Sequence, residues 1–214
     1  MIKILSRLIQ KKPEVIPVTE PLNSVNYHEL NRGNCYLVKE PKPKLSFEVF
    51  AAMIKGKCLD CDHPEAFPCE SIGCEECTLA CPCKACRHTR AQGLCLTMRS
   101  PETIRDEYLL QTTPIFWISR HGTDSICPTS LEMAANMIYG FLRRSKNPVV
   151  LLDGAEYLIV ANGFAPTLKF LRDIQEWVVL QEAIFILPIS PVAIEKRALA
   201  LIERDMLELD VQKP

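Results

Sequence analysis

Along this chain, apolar residues after position 32 fall into short continuous runs, separated by stretches in which they recur with a helical period. Residues 35–39 (Cys-Tyr-Leu-Val-Lys) form such a run behind Gly33, and residues 46–54 place Phe47, Phe50, Ala51 and Ile54 on one helical face. This predicts a strand, a loop and a helix. Residues 94–98 and 115–118 read as strands flanking a short helix at 102–110. Thr129-x-x-Glu132 has the form of a capping box ahead of a helix whose inward face includes Leu131, Ala135, Ile138, Tyr139 and Leu142. Residues 149–153 are continuously apolar up to Asp153, as a central parallel strand covered on both faces would be. Gly154 breaks that run, and a helix at about 165–179 presents Leu168, Leu171, Ile174 and Val178. Residues 183–187 form a further buried run that Pro188 is expected to end. Ser190 and Pro191 suit the N-cap and first position of a last helix, running towards Leu209 through Ile194, Ala198, Leu201 and Ile202. Five strands alternating with helices predict an α/β fold with a mostly parallel, doubly wound sheet.

Two segments stand outside this rhythm. Residues 1–12 (MIKILSRLIQKK) place Ile2, Leu5, Leu8 and Ile9 on one helical face, with Lys3, Arg7, Lys11 and Lys12 elsewhere, and residues 13–32 form a proline-bearing extended lead-in. At twelve residues such a helix is marginal alone, so docking on its own domain or on a partner is expected ahead of a lipid surface. Residues 58–93 are cysteine-rich and lack a core pattern. The expected organisation is therefore a lead-in at 1–32, an α/β domain made of 33–57 and 94–210, and an inserted module at 58–93.

The 214 residues are 48% apolar and carry a formal charge of −1, which allows a sizeable core and gives no general attraction to nucleic acid. No apolar run reaches the roughly 18–20 residues of a membrane span, and no secretory signal pattern opens the chain, so a cytoplasmic protein with reduced thiols is expected.

Of eleven cysteines, eight lie between positions 58 and 86: Cys58, Cys61, Cys69, Cys74, Cys77, Cys81, Cys83 and Cys86, with C-x-x-C pairs at 58/61, 74/77 and 83/86. A C-x-x-C turn brings two thiolates to one ion, four sulfurs close a tetrahedral site, and eight suffice for two zinc ions. Metal binding would then supply the energy that orders a segment without a core. Nesting the outer pairs groups Cys58, Cys61, Cys83 and Cys86 in one site and Cys69, Cys74, Cys77 and Cys81 in the other. A ribbon-like grouping would instead join 58/61 with 74/77. Iron–sulfur clusters are the alternative cofactor, because Cys69-x4-Cys74-x2-Cys77 and Cys81-Pro82 each match part of a ferredoxin pattern. Cys35, Cys95 and Cys127 are expected to be non-ligands, and His63 and His88 surface residues.

Gly33-x-x-Tyr36-Leu-Val-Lys-Glu40, Gly93-Leu-Cys-Leu-Thr-Met-Arg99 with Pro101, Phe116-Trp117-Ile118, Val150-Leu-Leu-Asp-Gly-Ala-Glu-Tyr-Leu158, Asn162-Gly-Phe164 and Leu187-Pro-Ile-Ser-Pro191 together resemble an archaeal family designated domain of unknown function 835. The resemblance spans about residues 30–209, and the cysteine segment is an insertion relative to it. It implies strand order like that of the RecA/KaiC class of ATPases. In those proteins a glycine-rich loop after the first strand cradles phosphate. Here the loop, residues 40–46, has no glycine, and Pro41 and Pro43 lack an N–H. Asp153 stands where a magnesium-binding acid would. Its ordinary role would be to cap the turn through Gly154, with a residual ligand role for Asp153 and Glu156 as the alternative.

The stretch His121-Gly-Thr-Asp124-Ser125 is too compact for a hydrolase triad and reads as a polar turn. No catalytic motif emerges. The expected function is a non-enzymatic regulatory or scaffolding protein whose zinc knuckle and ATPase-like domain meet a protein partner, with homo-oligomerisation compatible. The alternatives are an iron–sulfur electron-transfer or redox-sensing subunit, and a zinc-knuckle nucleic-acid binder.

Overall fold

The computed structural model describes residues 30–55, 91–122 and 125–209. Within them, β1 (Asn34–Lys39), α1 (Leu45–Lys55), β2 (Gln92–Thr97), α2 (Pro101–Tyr108), β3 (Ile115–Ile118), β4 (Ser125–Ile126) and α3 (Leu131–Arg144) are followed by β5 (Pro148–Asp153), α4 (Ala155–Asn162), α5 (Phe164–Leu180), β6 (Ile184–Ile189), α6 (Lys196–Glu203) and β7 (Leu207–Glu208). The strands form one sheet in the order β4-β3-β2-β5-β6-β1-β7, and every pairing is parallel. The expected α/β class is therefore observed, with a wholly parallel sheet.

The two-residue side-chain period of the strands sorts the core into two layers. Tyr36, Val38, Cys95, Val149, Leu151, Ile184 and Ile186 meet Phe47, Phe50, Ile104 and Tyr108 of α1 and α2. Leu37, Leu94, Leu96, Val150, Leu152, Phe185 and Leu187 meet Ile138 and Leu142 of α3, Leu158 of α4, and Leu171, Ile174 and Val178 of α5. Crossovers stepping towards β4 use the first face and those stepping towards β7 use the second. This is the arrangement that right-handed connections require. Cys35 and Cys95 are both buried in strands, as expected.

Several local expectations are corrected. Helix α4 carries apolar residues on all sides and so has no helical period to read; it ends at Gly163, where φ of 86° lets the chain turn into α5. Pro188 lies inside β6, paired with Val38. The Ile189 carbonyl accepts the Glu40 N–H on the β1 side, so alternation turns the nitrogen of Pro188 towards β5. That ladder has already ended at Leu151 and Ile186, and the missing N–H costs no bond. Helix α6 starts at Lys196 with Glu195 as N-cap, and Ser190 and Pro191 instead belong to the turn before it. The capping box at α3 does not form: Ser130 is the N-cap and makes no side-chain cap bond, while Thr129 Oγ1 lies 3.1 Å from Cys127 Sγ. Tyr139 is partly exposed and packs on Trp177, with ring centroids 4.9 Å apart, instead of facing inward. The short edge strands β4 and β7 were too brief to leave a pattern.

Candidate functional site: the carboxyl edge of the sheet

In a parallel sheet, a crevice opens beyond the strand ends wherever neighbouring strands send their connections to opposite faces. Here β1 and β2 exit towards α1 and α2, whereas β5 and β6 exit towards α4 and α6. The exits therefore diverge twice, between β2 and β5 and between β6 and β1.

At the first divergence Thr97 is in register with Asp153. The Thr97 hydroxyl donates to Asp153 Oδ2 at 2.7 Å, and the Arg99 N–H donates to Thr97 Oγ1 at 3.0 Å. The Met98 N–H reaches the Asp153 carbonyl at 3.1 Å, and the Met98 carbonyl accepts the Trp117 indole N–H at 3.0 Å. Asp153 is 6% exposed. Burial pushes its carboxyl above the ordinary carboxylate range; the Thr97 hydrogen bond opposes this, the Glu156 carboxylate adds to it, Arg99 opposes it and Glu40 adds again. Asp153 thus bonds across the sheet. The expected cap at α4 is absent, and Gly154 is the N-cap with no side-chain bond. Gly154 has φ of 130°, and a Cβ there would sit 2.6 Å from Met98 Cγ, so Met98 packs directly on Gly154 where a larger residue would obstruct it. The Arg99 guanidinium pairs with Glu107 and lies 5.7 Å from the Phe47 ring centroid.

At the second divergence Glu40 folds its carboxylate over the start of α1. Its Oε2 accepts the N–H groups of Lys44 at 2.8 Å and Leu45 at 2.9 Å, and Oε1 accepts that of Ser46 at 3.2 Å. A helix N-terminus attracts an anion through its unpaired N–H groups and its dipole. In this chain the anion is the protein's own. Glu156 Oε1 likewise accepts the Ser190 N–H at 2.7 Å, tying α4 to the exit of β6. Among the described residues, no group of three or more His, Cys, Asp or Glu side chains is placed to hold a metal ion.

Beside Glu156 a groove of about 420 Å³ runs between α4, the start of α5, and α6. Ile159, Val160, Phe164, Ile194, Ala198 and Leu201 give it an apolar lining, and Glu156, Glu195 and Arg197 supply its charges.

The eight cysteines proposed as ligands, Cys58, Cys61, Cys69, Cys74, Cys77, Cys81, Cys83 and Cys86, lie outside the described residues, as do His63 and His88. The points where their segment leaves and rejoins the domain are described. A Cβ built on Gly93 would fall 2.2 Å from Ile54 Cδ1 and 2.9 Å from Phe50 Cζ, so the end of α1 and the start of β2 are in direct contact. Both lie at the amino edge of the sheet, opposite Asp153 and Glu40. Reading the sequence alone missed Glu40, Thr97 and the Glu156–Ser190 contact. The signal for Glu40 was faint, an acid five residues ahead of a helix across two prolines, where caps usually adjoin the helix.

An all-parallel, doubly wound domain whose strand-end polar groups are bonded to one another is the class that this fold and edge define. The model of the family described as "Protein of unknown function (DUF835)" matches residues 83–206, more than half of the chain, and the protein belongs to that family. The match takes in β2 to α6 and leaves out β1, α1 and β7. No curated protein matches the chain. Among the described residues no helix is long and apolar enough to cross a membrane.

Proposed function

We propose that this protein is a non-enzymatic regulatory or scaffolding protein, in which the α/β domain carries a zinc-binding cysteine module that meets a protein partner. The observation that carries this reading is Glu40. A domain that binds nucleotide phosphates through a phosphate loop needs free N–H groups at the helix following its first strand, and here those of Lys44, Leu45 and Ser46 are held by an internal carboxylate. Asp153 points the same way, because its buried carboxylate already accepts a hydrogen bond from Thr97.

The contact of Ile54 with Gly93 supports an inserted module with adjacent ends, and hence the nested grouping of Cys58, Cys61, Cys83 and Cys86 around one ion and Cys69, Cys74, Cys77 and Cys81 around a second. The described attachment points, the end of α1 and the start of β2, lie at the amino edge of the sheet, the edge opposite the strand-end crevice.

Protein purified without oxygen tests both halves. The expected result is about two zinc ions per chain, no absorption near about 400 nm, and no ATP hydrolysis above background. ATP hydrolysis abolished by Asp153→Asn would refute the non-enzymatic reading. Bound iron with visible absorption would replace it with an electron-transfer or redox-sensing subunit. Salt-dependent binding of DNA or RNA would favour the nucleic-acid alternative.

A further inference from the structure

Helix α4 leaves one large apolar side chain, Val160, uncovered at the rim of the groove. Ala155 and Leu158 are buried against the sheet, whereas Val160 is 83% exposed, and Val192, in the turn before α6, is 92% exposed. The apolar groove lies between these helices, with two carboxylates, Glu156 and Glu195, to one guanidinium, Arg197. An occupant of matching chemistry is apolar on one side and cationic on the other.

We infer that residues 1–12 of the same chain dock in this groove as an amphipathic helix. They offer Ile2, Leu5, Leu8 and Ile9 at helical spacing, together with Lys3, Arg7, Lys11 and Lys12 and no acidic residue. From Ile2 to Ile9 is about 10 Å of helix, against about 12 Å for each of the eight-residue helices α4 and α6. The tether is long enough. Residues 13–29 span up to about 55 Å when extended, whereas a six-residue strand, the height of the sheet to be crossed from Leu30, is about 20 Å. A twelve-residue helix gains little stability alone, so it forms on contact, and the docked segment covers the apolar surface of α4. This inference is independent of the cysteine module and of the absence of catalysis.

The test is photo-cross-linking of the full chain with benzoylphenylalanine placed at Val160, and separately at Val192, followed by peptide mapping. Docking yields adducts within one chain to residues 1–12, which fall at least about tenfold when Leu5→Asp and Leu8→Asp are combined, because a carboxylate enters the apolar groove unpaired. Hydrogen exchange supplies a probe-free readout. In the Leu5→Asp/Leu8→Asp chain, amides of α4 and α6 exchange faster than in the parent. Adducts joining two chains, adducts to another segment, or absence of adducts at both positions with unchanged exchange would each overturn the inference.

Discussion

Asp153 illustrates what a single residue contributes at the edge of this sheet. Burial raises its carboxyl in the folded state, so the fold favours the protonated form. The stabilisation is complete below the ordinary carboxylate pKa and is lost as pH rises through the folded value. Asp153→Asn keeps an acceptor for the Thr97 hydroxyl and removes the buried charge. Its unfolding free energy should therefore vary less between about pH 4 and pH 7 than the parent's, and should equal or exceed the parent's at neutral pH. Urea titrations across that range would show otherwise if the variant were weaker at pH 7. The three cysteines outside the ligand set also separate by environment. Burial pushes the Cys35 thiol up to about 12 and also raises Cys95, whereas hydrogen bonds from Thr129 lower Cys127, which is partly exposed. Brief alkylation of the native protein should modify Cys127 and spare the other two until urea is added, as peptide mapping would report. Their burial was legible in advance because both belong to apolar strand runs. The role of Asp153 was not, since its partner Thr97 lies 56 positions away and only the sheet register brings them together.

At the scale of elements, α1 depends on a cap that local sequence rules do not describe. Replacing Glu40 by Ala would leave three helix N–H groups without their acceptor, and the loop prolines cannot rearrange freely to replace it. A loss of about 2–3 kcal/mol is expected, with about 1 kcal/mol for Glu40→Gln, which retains one acceptor. Equal stability of all three proteins in denaturant titrations would show that water replaces the cap. Element existence was otherwise well signalled wherever a period persisted for two turns or a run stayed apolar for four residues, as in α1, α3, α5, β1, β3 and β5. Where competing contacts set the structure, the pattern misled. Ser190 and Pro191 have the composition of a helix start, yet the Ser190 N–H is bonded to Glu156. Pro188 has the composition of a strand end, yet the β1 ladder continues past it to Ile189.

At the scale of the whole molecule, the proposal of an inserted cysteine module predicts that the α/β core folds without it. Both core layers are drawn from residues on either side of the segment, and the described chain flanking it meets at Ile54 and Gly93. No strand or core contact among the described residues requires a long connection there. A protein in which residues 58–90 are replaced by a short Gly/Ser linker should therefore fold, bind no zinc and unfold cooperatively. Shortening a loop about sixfold lowers its closure cost by about 1.5 kcal/mol, so the stability of the shortened protein should lie within about 2 kcal/mol of the parent. The comparison also isolates Gly93: in either protein Gly93→Ala forces Ile54 and Phe50 aside, and overpacking of this kind costs about 1–3 kcal/mol. If the shortened chain instead formed an open, non-cooperative state, the cysteine segment would have to supply core contacts to the sheet. A module of that kind could not serve as an independent surface for a partner.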